Sequence, residues 1–151
     1  MATLNSKSDE ELEAINNSKI WKSGGVSKQS IQLFEAIAEP ESRWSNQGGE
    51  VMIKLMLDGK LKRKMVDFKL GNKVIEYFGT YWHADPRKYP DDNIMIQKRK
   101  GAVSAKSIRD DDNEYIEQLA KAGYELLVVW ELDYTQDPQK VIQQCKAFLH
   151  G

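Results

Sequence analysis

The stretch Lys60-Leu-Lys-Arg-Lys-Met-Val-Asp-Phe-Lys-Leu70, Gly71-Asn72, Lys73-Val-Ile-Glu-Tyr-Phe78 decides how this chain is read. Two runs that suit extended backbone flank a glycine–asparagine pair, a tight-turn signal. Upstream, Glu50-Val-Met-Ile-Lys-Leu-Met-Leu57 reads as another strand, with Asp58-Gly59 as its turn into residues 60–70. Connections of about two residues leave only antiparallel neighbours, so residues 50–78 predict three strands lying side by side.

Working outward, Ser27 is a plausible N-cap for a helix to about Ala38, with Ile31, Phe34, Ile37 and Ala38 at helical spacing and Pro40 as its stop. On the other side, residues 79–90 are irregular, and the polar stretch 91–107 reads as a mobile loop or a short helix. A helix is predicted from Asp110 to Ala122, with Ile116 and Leu119 inward and Gly123 ending it. Glu125-Leu-Leu-Val-Val-Trp-Glu131 is a nearly continuous apolar strand, as expected of one buried on both faces. Pro138 opens a last helix through Phe148. The order αβββαβα predicts an α/β sandwich with a mixed sheet. Residues 1–24 are expected to be an N-terminal extension, with a short helix from Ser8-Asp9 to about Ile15, and residues 25–151 one folded domain.

Hydrophobic residues at 40% and charged residues at 30% place the chain among ordinary soluble domains. No apolar run approaches the roughly 18 residues that a membrane span needs. Residues 1–17 carry Asp9, Glu10, Glu11 and Glu13 against Lys7, which does not fit a secretory leader. The single cysteine, Cys145, fits a reducing cytosol, so a cytoplasmic location is expected. Its neighbours Val141, Ile142 and Phe148 suggest a packed helix position. A net charge of −1 argues against a surface that is basic throughout. Yet between residues 54 and 73 the basic residues Lys54, Lys60, Lys62, Arg63, Lys64, Lys69 and Lys73 face only Asp58 and Asp67. Such a patch suits phosphates, and equally the solvated rim of a hairpin.

Candidate chemistry gathers in residues 67–85. Asp67 lies between Val66 and Phe68, where an unpaired carboxylate is costly, and Glu76 lies in the neighbouring strand, so the hairpin can bring the two together. Paired carboxylates repel unless a cation joins them, and hard oxygen ligands suit Mg²⁺. Ordinary alternating strands also carry one acid per hairpin. His83, with Asp85 two residues on, could activate water, or could be a loop histidine satisfied by a carbonyl. Tyr81-Trp82 could wedge between bases, or close one edge of the core.

The segments Val66-Asp67-Phe68, Lys73-Val-Ile-Glu-Tyr-Phe-Gly-Thr-Tyr-Trp-His83 and Gly123-Tyr-Glu-Leu-Leu-Val-Val-Trp-Glu131 resemble the very-short-patch repair (Vsr) endonucleases. They resemble still more the Vsr-like homing endonucleases of phages and mobile introns, whose site is described as EDxHD. The resemblance covers roughly residues 25–135. It implies a restriction-endonuclease-like, PD-(D/E)xK fold: a mixed central sheet flanked by helices. It implies a metal-dependent endonuclease acting on double-stranded DNA, with Mg²⁺, or Mn²⁺ as a substitute, held by Asp67 and Glu76. His83 would then serve as general base or phosphate contact with Asp85 completing it, Lys62, Arg63 and Lys64 would grip the backbone, and Tyr81 and Trp82 would probe the duplex. From the first helix, Glu35 is the expected acidic contributor, although Gln32 falls nearer the family's usual place. Phe78 stands where the superfamily has its lysine, and the repair enzymes' cysteine and histidine cluster is missing, so no zinc is expected. A site-specific homing enzyme is the expected kind, ahead of a mismatch-nicking repair enzyme or a catalytically silent DNA-binding module. For long target sites the chain would need a second copy or a DNA-reading domain beyond Gly151.

Overall fold

The computed structural model describes residues 27–44, 51–57 and 59–151, and the expected short helix within residues 1–24 falls outside them. Helix α1 (Lys28–Ile37) starts where the sequence suggests: the Ser27 hydroxyl accepts the Ser30 N–H at 3.2 Å. Leu33, Phe34 and Ile37 form its buried side. Strands β1 (Arg43–Trp44), β2 (Val51–Leu57), β3 (Lys60–Val66), β4 (Phe68–Leu70) and β5 (Lys73–Phe78) follow. Next come a hairpin of β6 (Met95–Lys98) and β7 (Gly101–Ser104), helix α2 (Ala105–Lys121) and strand β8 (Glu125–Trp130). Helices α3 (Glu131–Gln136) and α4 (Pro138–His150) close the chain.

The expected mixed sheet is present, in the order β1-β4-β5-β8. The first three strands are antiparallel and β8 runs parallel to β5. A parallel pair needs a long crossover, and β6, β7 and α2 provide it.

The single return strand expected over residues 60–70 is in fact two. β3 pairs only with β2, as a separate two-stranded ribbon, whereas β4 belongs to the sheet. The reason lies at Asp67. Residues two apart in an unbroken strand share a face. Here Val66 packs with Val51, Ile53, Leu55, Val74 and Leu119, while Phe68 packs with Leu33, Phe34, Trp44 and Ile75. The chain bends at Asp67 to serve both sides of the sheet. Gly71, at φ +61°, makes the two-residue turn that sets Leu70 opposite Lys73.

Residues 91–107 form neither the expected loop nor an isolated helix. They hold the β6–β7 hairpin and the first turn of α2, which begins at Ala105 rather than at Asp110. Ser104 caps it, its Oγ accepting the Ser107 N–H at 3.1 Å. Only Ile96 of the hairpin strands is fully buried, so the alternation is too short to stand out from a polar loop. The apolar strand expected to reach Glu131 stops at Trp130, and Glu131 opens α3.

One face of the sheet packs on α1 and α4, with Cys145 buried there and its thiol pushed up to about 12 by burial. The other face packs on α2 and the inner side of the β2–β3 ribbon. No helix among the described residues is long and apolar enough to cross a membrane. Leu119 is fully buried where ribbon, sheet and α2 meet, and Leu61 is exposed on the outer side of the ribbon. Leu119→Ala should cost about 2–5 kcal/mol and Leu61→Ser no more than about 0.5 kcal/mol, measured by chemical denaturation.

Candidate functional site

The register that pairs Phe68 with Ile75 puts Asp67 across from Glu76 as the next rung. That rung is made of side chains. The Asp67 N–H donates to Glu76 Oε1 at 3.0 Å, and the Tyr77 N–H donates to Asp67 Oδ2 at 2.8 Å. Each carboxylate holds an amide that the bend at Asp67 removes from the ladder. Burial raises the Asp67 carboxyl above its ordinary range, against the Tyr77 N–H and the nearby His83, which favour its charged form. Glu76 is raised further, first by burial and then by the charge of Asp67. The Tyr115 hydroxyl is buried beside Glu76, close enough to favour its charged form but short of a well-formed hydrogen bond. Burial raises it, and so do the charges of Glu76 and Asp67.

This donor set fits a hard divalent cation. Two desolvated carboxylates lie side by side, each fixed by one backbone N–H, with the incompletely satisfied Tyr115 hydroxyl next to them. A cation there would offset both the repulsion and the burial, and a water on it could satisfy Tyr115.

His83 stands beyond the end of β5 on a tight turn, its N–H bonded to the Gly79 carbonyl at 3.1 Å. The imidazole lies flat on Phe78, with ring centroids 3.9 Å apart and planes 2° apart. Phe78 is thus the floor under His83. Its edge meets Trp130 at 5.2 Å.

The carboxylate on His83 is not Asp85. His83 Nδ1 is 2.9 Å from Asp112 Oδ2, on α2. Asp85 is 1% exposed and bound to Arg87, accepting its backbone N–H at 3.0 Å and its Nη2 at 2.7 Å. Asp85 therefore shapes the loop, and residues two apart on this turn face different ways. Asp112 sits among Asp110, Asp111 and Asp112, and the sequence holds the signal that selects it. Counting from the buried Ile108 and Leu119, residue 112 falls on the inward stripe together with Tyr115.

The loop around His83 is firmly held. Ala84 adopts a left-handed φ of +47° and is fully buried. Arg109 Nη1 donates to the carbonyls of Ala84 and Tyr89, each at 2.8 Å, and its Nη2 bonds Asp92. The Thr80 N–H donates to the buried Glu131 at 2.8 Å. Arg109 and Asp112 leave the same helix one turn apart, so α2 fixes both the loop and the ring that it presents.

The remaining expected residues separate. Glu35 and Gln32 are exposed on α1, and α1 instead reaches β5 through Gln29, whose Oε1 accepts from the Tyr77 hydroxyl at 2.8 Å. With Leu33, Phe34 and Ile37 turned to the sheet, Glu35 is carried away from Asp67 and Glu76. Lys62, Arg63 and Lys64 do not share a face, because strand residues alternate: Arg63 pairs with Lys54 on the outer side of the ribbon, while Lys64 lies on the inner side, 6.0 Å from the Tyr115 ring. Tyr81 is engaged in the loop core, its hydroxyl accepting the Gln97 N–H at 2.9 Å. Trp82 is half-buried beside His83, with the Lys98 ammonium 4.8 Å over its ring and bonded to its carbonyl. Burial lowers Lys98, while Asp112 acts the other way.

A carboxyl that holds its proton more tightly folded than unfolded stabilises the fold fully below its unfolded pKa, and that contribution is lost as pH rises through the raised folded value. Both Asp67 and Glu76 are of this kind, so without divalent ions the protein should lose stability as pH rises out of the acidic range. Glu76→Gln keeps an acceptor for the Asp67 N–H and removes the charge, and should raise the melting temperature at neutral pH by about 2–4 °C. Thermal unfolding of both proteins across pH, in EDTA, measures this, and a lower melting temperature for the variant at neutral pH would contradict it.

No family model matches the chain, and no curated protein or solved structure shows significant similarity to it, so the functional reading rests on the residues of the site.

Proposed function

We propose that this chain is a metal-dependent DNA endonuclease. The observation that carries the reading is the conjunction of the Asp67–Glu76 carboxylate pair with a histidine oriented by a third carboxylate, Asp112. A mixed sheet with helices on both faces is compatible with the restriction-endonuclease-like fold that the sequence resemblance implies. Two oxygens fixed by backbone amides and an imidazole fixed by a carboxylate support hydrolysis of a phosphodiester.

Asp67 and Glu76 are the residues that would hold Mg²⁺ or Mn²⁺. The bound ion would polarise the phosphate and steady the leaving oxygen. His83 does the proton work. Asp112 engages Nδ1 and so leaves Nε2 for water. It also stabilises the imidazolium that forms when His83 takes a proton. Phe78 keeps the ring in plane through this change of charge. Trp82, half-buried on the same loop, would offer its aromatic face to a duplex bound at the site. The homing-type, site-specific form of this activity rests on the sequence resemblance alone.

Incubation of plasmid with the protein should give Mg²⁺-dependent cleavage that EDTA stops. Asp67→Ala should abolish it, and His83→Ala should lower it by about 10²–10⁴-fold. Asp112→Asn should lower kcat by about 10–100-fold with little change in KM, while Asp85→Asn should act through stability and leave kcat near that of the intact protein. DNA binding without cleavage in every metal would favour the silent binding module instead. Preference for a mismatched over a matched duplex would favour the repair type.

A further inference from the structure

The outer side of the β2–β3 ribbon is a surface that the nuclease site leaves unexplained. Cross-strand pairing places three pairs on it: Met52 with Met65, Lys54 with Arg63, and Met56 with Leu61. Four of the six side chains are large and apolar, and they are exposed: Met52 by 47%, Met56 by 60%, Leu61 by 62% and Met65 by 41%. Scattered apolar residues on a surface need no explanation, but a contiguous set on one face marks an interaction site. At its centre two cations sit directly opposite each other, an arrangement that destabilises a ribbon in isolation. Among the described residues of the ribbon, none on this face is acidic.

The charge decides the occupant. A second copy meeting this face through a two-fold axis would bring Lys54 and Arg63 against Lys54 and Arg63. A polyanion relieves the repulsion that a copy would double. The inner side of the ribbon is packed on Leu119 and Val74, so the outer side is presented on a rigid support. The ribbon also runs directly into Asp67. At about 3.4 Å per residue, Arg63 stands about 14 Å along the chain from Asp67.

We propose that the outer face of the β2–β3 ribbon docks into the major groove of duplex DNA, a groove wide enough for a two-stranded ribbon. Lys54 and Arg63 meet the phosphates or base edges, and Met52, Met56, Leu61 and Met65 pack against the groove wall. The choice of DNA as partner rests on the nuclease reading, and the surface deepens that reading by saying how the duplex is held.

The test is binding of the full chain to a fluorescent random-sequence duplex in EDTA, by anisotropy at several salt concentrations. The variants are Lys54→Ala with Arg63→Ala, and Met56→Ser with Leu61→Ser, with Lys140→Ala and Lys146→Ala on α4 as control. We expect each ribbon double variant to bind about tenfold or more weakly. The charge variant should also lower the slope of log affinity against log salt by about 2, with the control unchanged. Binding equal to the unaltered chain in both ribbon variants overturns the proposal, and so does a loss confined to the charge variant, which would leave the apolar residues outside the groove. Loss of a dimer in solution, or of binding to phosphatidylserine vesicles, with DNA binding intact, also overturns it. Mg²⁺-dependent cleavage by the unaltered chain is scored separately, so failure of the nuclease reading is distinguished from failure of the ribbon.

Discussion

Where β3 leaves the ribbon and β4 joins the sheet, the residue between them can belong to neither ladder, and its amide must still be satisfied. Asp67 is that residue, and the solution is a reciprocal pair: Glu76 accepts the Asp67 N–H, and Asp67 accepts the Tyr77 N–H. The rest of the molecule depends on this rung. It allows one continuous segment to feed two cores, Val66 into the one beneath α2 and Phe68 into the one beneath α1. It also concentrates two carboxylates in a desolvated place, where their burial is compensated only in part. The same bonds that let the backbone bend are therefore those that hold two carboxylates together in a buried place.

Helix α2 organises what surrounds the rung. Its inward stripe carries Ile108 and Leu119 for packing and Asp112 and Tyr115 for the site, while Arg109 holds the Ala84 and Tyr89 carbonyls. An imidazole stacked on Phe78 and bonded to Asp112 has little rotational freedom, and so presents one nitrogen in one direction. General-base chemistry needs that preorganisation. Phe78 supplies the floor on which that ring lies. The ribbon packs by its inner side on the same helix and turns a basic and apolar face outward.

Much of this could be read from the residues. The hairpin at Gly71-Asn72 fixes the pairing of residues 68 and 75, and simple extension of that register brings 67 against 76. The cap at Ser27 and the helix from Pro138 follow from local chemistry, and so does the strand over residues 125–130, although only Val129 of it is buried. The β6–β7 hairpin did not show itself, because a pattern of one buried residue in a four-residue strand has no legible period. Asp85 looked like the partner of His83 because it is near in sequence. The turn between them, with Ala84 at positive φ, points it instead at Arg87. Glu35 looked like the first-helix acid, but the inward side of α1 is set by Leu33, Phe34 and Ile37.

What the sequence determined by itself is therefore the local part: where the first and last helices begin, which segments extend on either side of the Gly71-Asn72 turn, and which two carboxylates that turn must bring together. Periodicity, capping and turn chemistry act over a few residues, and these conclusions need nothing more. Only the tertiary structure decided that residues 60–70 divide between a ribbon and a sheet, that Asp112 rather than Asp85 meets His83, and that Arg63 and Lys64 face opposite ways about the core. Each of these depends on which surface a side chain finds across a separation of tens of residues, and packing against α2 sets that.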